Sequence, residues 1–298
     1  MKSSSRIPFI SVVVVLAANL LGALPNVAFA RSTVASRAPH GSSHVARVAA
    51  VPDTTPKEVA FPSTGGWFIL YGLNGYAATK EISTDVTDQL DQYQTDSQEV
   101  KHVAFSFDGG FVIIYGANGF YAKDVPQTAI DKLTSLNDGG HELGNIAFSP
   151  SGEWVILYDA NKYATSKKIP AEVPTKLDSL VSAQRSLKSI TFSSDGKWLI
   201  LYNENRYVAQ TGFDKSLTDI LKEVATKGWL LNQVAFLKVG GASATADASA
   251  AASDATAAAS DSSAPDLWVV LYGGGAVWSK EGLPETFTDK LKELVTGS

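Results

Sequence analysis

The sequence predicts a repeat protein, mainly β with helices: a closed five-bladed propeller whose units are each a three-stranded antiparallel meander followed by one helix. Three observations carry this. An aromatic residue recurs at Phe61, Phe105, Phe148, Phe192 and Phe236, in steps of 44, 43, 44 and 44 residues. A tyrosine follows ten residues later in four copies (Tyr71, Tyr115, Tyr158, Tyr202) and 36 residues later in the fifth (Tyr272). Behind each tyrosine, apolar residues fall at i, i+4 and i+7, the spacing of one helix face.

The repeats begin only at Lys57. Before them, Lys2 and Arg6 precede an apolar run from Ile7 to Leu24, and Ala28-Phe29-Ala30 supplies small residues for a signal peptidase. This predicts a signal peptide over 1–30 and a secreted or periplasmic protein. The run approaches the ~18 apolar residues of a membrane span, but Asn19 and Pro25 interrupt it, so cleavage is expected, with no membrane association afterwards. Residues 31–56, rich in Ser, Ala, Val and Pro and without periodicity, read as a disordered linker or pro-segment. The single repeat domain, 57–298, divides into 57–100, 101–143, 144–187, 188–231 and 232–298.

Composition narrows the chemistry. The chain has no cysteine, so an exported protein of this sequence rests on its core and not on disulfides. Its formal net charge is −5, and Lys2, Arg6, Arg31, Arg37 and Arg47 all precede the repeats while Asp53 is the only acid there. The repeat domain is therefore more acidic than the whole, which argues against nucleic acid as a partner.

Within a unit the elements follow in order. In the third copy Asn145–Ser149 is a short apolar strand, and Ser149-Pro150-Ser151-Gly152 places Pro and Gly as a type I turn prefers. The return strand Glu153–Tyr158 is apolar on both faces, which requires both faces of its sheet to be covered. Asn161-Lys162, and in the first copies Asn74-Gly75 and Asn118-Gly119, predict a two-residue loop into the third strand. Then come the helices, with apolar stripes Val86/Leu90/Tyr93, Ala129/Leu133/Leu136, Val173/Leu177/Leu180, Leu217/Leu221/Val224 and Phe287/Leu291/Leu294. Pro126, Pro170 and Pro284 open three of them, where a missing N–H costs nothing. Units this small cannot bury their own apolar faces, so they must pack on one another. A ring is favoured over an open solenoid because neither terminal copy is polar enough to cap one.

The hairpins FSFDGGFVIIY (Phe105–Tyr115), FSPSGEWVILY (Phe148–Tyr158) and FSSDGKWLILY (Phe192–Tyr202) resemble the F-S-P-D-G-K-W turn of TolB-type and WD40-like β-propeller blades. The resemblance covers about eleven residues per copy. It implies a propeller without implying a ligand. Ordinary blades have four strands, whereas these units offer three strands and a helix. Five such units also resemble the five-fold α/β-propeller of the pentein proteins, whose active-site cysteine has no counterpart here.

The fifth unit carries an insert, 240–265, of Ala, Ser, Thr, Asp and Gly, placed at a hairpin tip where insertions are tolerated, and it is expected to be disordered.

No catalytic residue, metal ligand or cofactor is assigned from the sequence: no G-x-S-x-G, H-E-x-x-H or P-loop pattern occurs. Asp108 and Asp195 lie in hairpin turns, where Asp bonds its own backbone. His102 and His141 are expected at strand edges or on the surface. The recurrent residues around the second loop are the candidate binding site: Asn74, Tyr76, Asn118, Asn161, Tyr163, Asn205, Tyr207 and Trp278. A ring to stack on a sugar and an amide to hydrogen-bond it would make repeated shallow sites of lectin type. The expectation is a secreted, monomeric, non-catalytic binding or scaffold protein whose partner is a glycan, a cell-wall polymer or another protein. The competing expectation is an exported hydrolase with one site at the ring centre.

Overall fold

The computed structural model describes residues 53–238 and 266–296. The expected signal peptide, the linker up to residue 52 and the insert lie outside the described residues.

Each unit forms the predicted meander and helix. The first contains β1 (Pro56–Ala60), β2 (Phe68–Tyr71), β3 (Gly75–Ala78) and α1 (Thr84–Thr95). The second contains β4 (Val100–Phe105), β5 (Phe111–Tyr115), β6 (Gly119–Lys123) and α2 (Gln127–Asp138). The third contains β7 (Leu143–Phe148), β8 (Trp154–Tyr158), β9 (Lys162–Thr165) and α3 (Glu172–Ser182). The fourth contains β10 (Leu187–Phe192), β11 (Trp198–Tyr202), β12 (Arg206–Ala209) and α4 (Lys215–Lys227). The fifth contains β13 (Leu231–Leu237), β14 (Leu267–Tyr272), β15 (Ala276–Ser279) and α5 (Glu285–Thr296). The result is five separate three-stranded antiparallel sheets, each in chain order.

The first hairpin turn is as expected. Gly152 N donates to Ser149 O at 2.9 Å and Gly196 N to Ser193 O at 3.0 Å, and Gly152 has φ 80°, a conformation costly for any residue with a Cβ. The second turn departs from expectation. Gly75 and Gly119 already belong to β3 and β6, paired with Tyr71 and Tyr115, so the loop has three residues and not two. The left-handed position is the residue after the tyrosine (Gly72, Gly116, Asp159, Asn203, Gly273), while Asn74, Asn118, Asn161 and Asn205 keep negative φ. Glycine is needed at 75 for another reason: a Cβ there would lie 2.3 Å from the Tyr71 ring.

All five predicted helix stripes are the buried residues of α1 to α5. Each stripe packs between its own sheet and the next one. Val155 and Leu157 of β8 join the α3 cluster with Leu187, Ile190 and Trp198 of the fourth unit, whereas Trp154 and Ile156 join the α2 cluster. Residues of one strand thus alternate between two cores, which is why the central strands are apolar on both faces. The α5 stripe packs between Val269 and Leu271 of the fifth sheet and Val59, Trp67 and Ile69 of the first. Residues just before β1 are tied to the same place: the Thr54 hydroxyl donates to Leu294 O at 3.0 Å.

The first strands share one further feature. In each, pairing with the second strand slips at the start, between Pro56 and Glu58, Val100 and His102, Leu143 and Asn145, Leu187 and Ser189, and Leu231 and Gln233. A bulge of this kind re-aims the side chain beside it. The five residues so placed are all polar.

Candidate functional site

Those five residues, Glu58, His102, Asn145, Ser189 and Gln233, line one cavity of about 130 Å³ bounded by all five first strands. They stand three residues before each repeat-defining Phe, so a column of polar residues within apolar strands was the sequence signal that would have found them. Four reach the main chain of the next unit's first strand. Glu58 accepts from Val103 N at 3.3 Å, and Asn145 Oδ1 accepts from Ile190 N at 3.2 Å. His102 Nε2 donates to Ile146 O at 2.7 Å. Gln233 makes both contacts to Val59: Oε1 accepts from its N at 2.7 Å and Nε2 donates to its O at 3.0 Å.

His102, expected at an edge or on the surface, is buried at 9% exposure, and its Nδ1 lies 2.9 Å from Oε2 of Glu58, itself 5% exposed. A carboxylate faces Nδ1 and a carbonyl faces Nε2, with the Asn145 amide nitrogen 3.3 Å from Nε2, so both ring nitrogens are engaged. Burial pulls the pKa of His102 down, but the charge of Glu58 and the two hydrogen bonds outweigh it and the net shift is upward. With both ring nitrogens already in hydrogen bonds, neither is open to a nucleophile's proton. The pair therefore buttresses adjacent units.

The sequence-predicted binding residues are distributed around the molecule. Asn74 Nδ2 donates to Tyr93 O at 3.1 Å and Gln98 O at 3.0 Å, and Asn118 Nδ2 to Asn137 O at 3.2 Å, so both amides cover carbonyls where a helix ends. Asn161 and Asn205 are half-buried, with no side-chain hydrogen bond among the described residues. Tyr76 stacks on Phe68 at 6.2 Å and donates to Asp91 of α1 at 2.7 Å. Tyr163 donates to Asp178 of α3 at 2.5 Å. Burial, then the neighbouring carboxylate, raises the pKa of both phenols, and burial with Asp219 nearby does the same for Tyr207. The three rings pack in three different cores between sheet and helix. Tyr207 and Trp278 alone share one.

Trp278 belongs to a group that the repeat does not reproduce. Its ring centre is 5.2 Å from Tyr272 and 6.5 Å from Trp229, Trp229 stacks on Tyr272 at 5.3 Å, and Lys227 Nζ lies 4.3 Å from the Trp229 ring centre. Trp229 is 37% exposed and Leu230 beside it 44%. At the equivalent connections the other units carry Gln98-Glu99, His141-Glu142 and Arg185-Ser186. Among the described residues no group of three or more His, Cys, Asp or Glu could hold a metal ion, and no helix is long and apolar enough to cross a membrane.

Five antiparallel three-stranded sheets with a helix between each and the next define a propeller-like repeat protein. No family model and no curated protein matches the chain. Among solved structures it is similar to one described as YCF48 bound to D1 peptide, with TM-score 0.34 and 10% identity over 75% of this chain. The match spans 64% of that chain, less than two thirds of its length.

Proposed function

We propose that this chain is an exported, monomeric, non-catalytic binding scaffold: a closed ring of five units that holds an apolar segment of a partner protein on the patch formed by Trp229, Leu230, Tyr272 and Trp278. The observation that carries it is the replacement of polar pairs by Trp229-Leu230 at one connection out of the series, next to two further aromatic rings. An exposed Trp and Leu backed by half-buried Tyr272 and Trp278, with one lysine, is the composition of a protein-binding anchor. The Gln233 contacts to Val59 and the packing of α5 on the first sheet support closure of the ring. The full occupation of His102 favours a scaffold over a hydrolase at the centre.

The test uses the chain lacking residues 1–30, presented to a displayed peptide library and to a glycan and cell-wall-polymer array. Binding to apolar peptides, lost at least about tenfold in Trp229→Ala at unchanged melting temperature, is expected, since a central anchor is worth about 2 kcal/mol. Retention of glycans that depends on Tyr76, Tyr163 and Tyr207 would instead restore the repeated-site, lectin-like reading. Light scattering after size exclusion reads the monomer directly.

A further inference from the structure

The column of polar residues at the cavity is uneven at one place. Four side chains bridge to the following unit, but Ser189 ends one heavy atom short of the reach of Asn145 and makes no side-chain hydrogen bond among the described residues. The main-chain groups it would meet belong to Val234. Val234 pairs with Val270 in the same register in which Val59 pairs with Ile69 and Ile190 with Ile200. In an antiparallel ladder a residue's N–H and C=O point together, either to its partner strand or away from it. The outward pair of Val59 is held by Gln233, and that of Ile190 by Asn145 through its N–H. By the same register Val234 turns its N–H and C=O toward the cavity, and no side chain of the described residues reaches them.

The Gln233–Val59 contact shows which chemistry complements this pair: an acceptor and a donor on one carbon, as in a primary carboxamide. We propose that the cavity between Ser189 and Val234 binds a compact primary carboxamide, its oxygen accepting from Val234 N–H, its NH₂ donating to Val234 C=O, with the Ser189 hydroxyl beside it. The size is adequate. The cavity of about 130 Å³ is bounded by both residues, and one water needs only roughly 10–15 Å³. The chemistry is neutral because the two charged side chains that line the cavity, His102 and Glu58, already pair with each other. Ligands in this class are small free amides and the side-chain amide of an Asn or Gln. The site is separate from the Trp229 patch and does not rest on that reading.

Acetamide is the probe, followed through the Val234 amide resonance of ¹⁵N-labelled protein. The expected result is a saturating shift with half-saturation on the order of 1–10 mM, as so small a ligand allows. N,N-dimethylacetamide, which lacks the donor, should not reproduce it. Ser189→Gln should supply the missing amide from within the chain, raising the melting temperature and abolishing the acetamide response. Should that variant fold poorly, Ser189→Asn, the residue already used at 145, takes its place. A shift that grows linearly without saturation, an equal response to the dimethyl compound, or an undiminished response in both variants overturns the proposal and leaves water as the occupant.

Discussion

At His102 both ring nitrogens face acceptors, and that gives the direction of a pH effect. Its folded pKa is raised, so the stability it contributes is fully present below the unfolded value of about 6.5 and is lost as pH rises through the folded value. Melting temperature is thus expected to fall on raising pH above about 6.5, and His102→Gln, which cannot ionise, should flatten that slope while lowering stability overall by leaving the buried Glu58 without its partner. Equal slopes in the two proteins would show that the charge contributes nothing. A second case concerns the tryptophans. Trp154 Nε1 donates to Thr128 at 3.0 Å and Trp67 Nε1 to Thr286 at 3.1 Å, each the residue just before the first buried position of the preceding unit's helix. At Trp198, 4% exposed, the corresponding residue is Glu172 and the indole N–H has no partner among the described residues. Thr128→Val should therefore cost about 1–3 kcal/mol by stranding a buried donor, while Glu172→Thr should raise the melting temperature. Chemical denaturation of the two variants against the parent checks both. Trp154→Ala should cost more, about 3–5 kcal/mol, because it also empties core volume.

Among the elements, α4 has the most completely specified ends. Asp214 accepts from Ser216 N at 2.7 Å as N-cap, and Gly228 closes the other end at φ 69°. Lys280 of the following unit, first, and the bonds from Ser216 hold the Asp214 carboxyl down to about pKa 2. That stabilisation is present above the ordinary carboxylate value and disappears as pH falls toward 2. Asp214→Ala should cost about 1 kcal/mol for the cap alone, and Asp214→Asn, which keeps an acceptor, should lose only the part that high salt also removes. Urea melts at two salt concentrations separate the two contributions. Helices were the most legible elements in the sequence because their period is long and their stripes unbroken. All fifteen stripe residues are buried. The second loop was misread because Asn-Gly is a strong local signal for a two-residue turn, whereas here the residue after Tyr71 takes the left-handed conformation and Gly75 serves to make room for the Tyr71 ring. The candidate site was least legible. Asn74 and Tyr76 recur for structural duties at helix ends and faces, and the residues that meet one another, Glu58 to Gln233, share a position but not a residue type, so periodicity of identity missed them.

For the whole molecule, the proposed closure makes a prediction about truncation. A chain ending at Lys238 lacks β14, β15 and α5, which exposes the Val59–Ile69 face of the first sheet and the free face of β13 together. Such a chain is expected to aggregate on expression, because apolar faces of that extent are not tolerated on a soluble monomer. A soluble four-unit fragment with a cooperative melt would point to an open stack. The same packing has a consequence in time. The face of the first sheet that emerges earliest during synthesis is covered by α5, whose last described residue is Thr296. If the ring closes as proposed, that face of the first sheet stays uncovered until α5 is available. Maturation then ends on a step that joins the first unit to the fifth, and cannot be completed unit by unit.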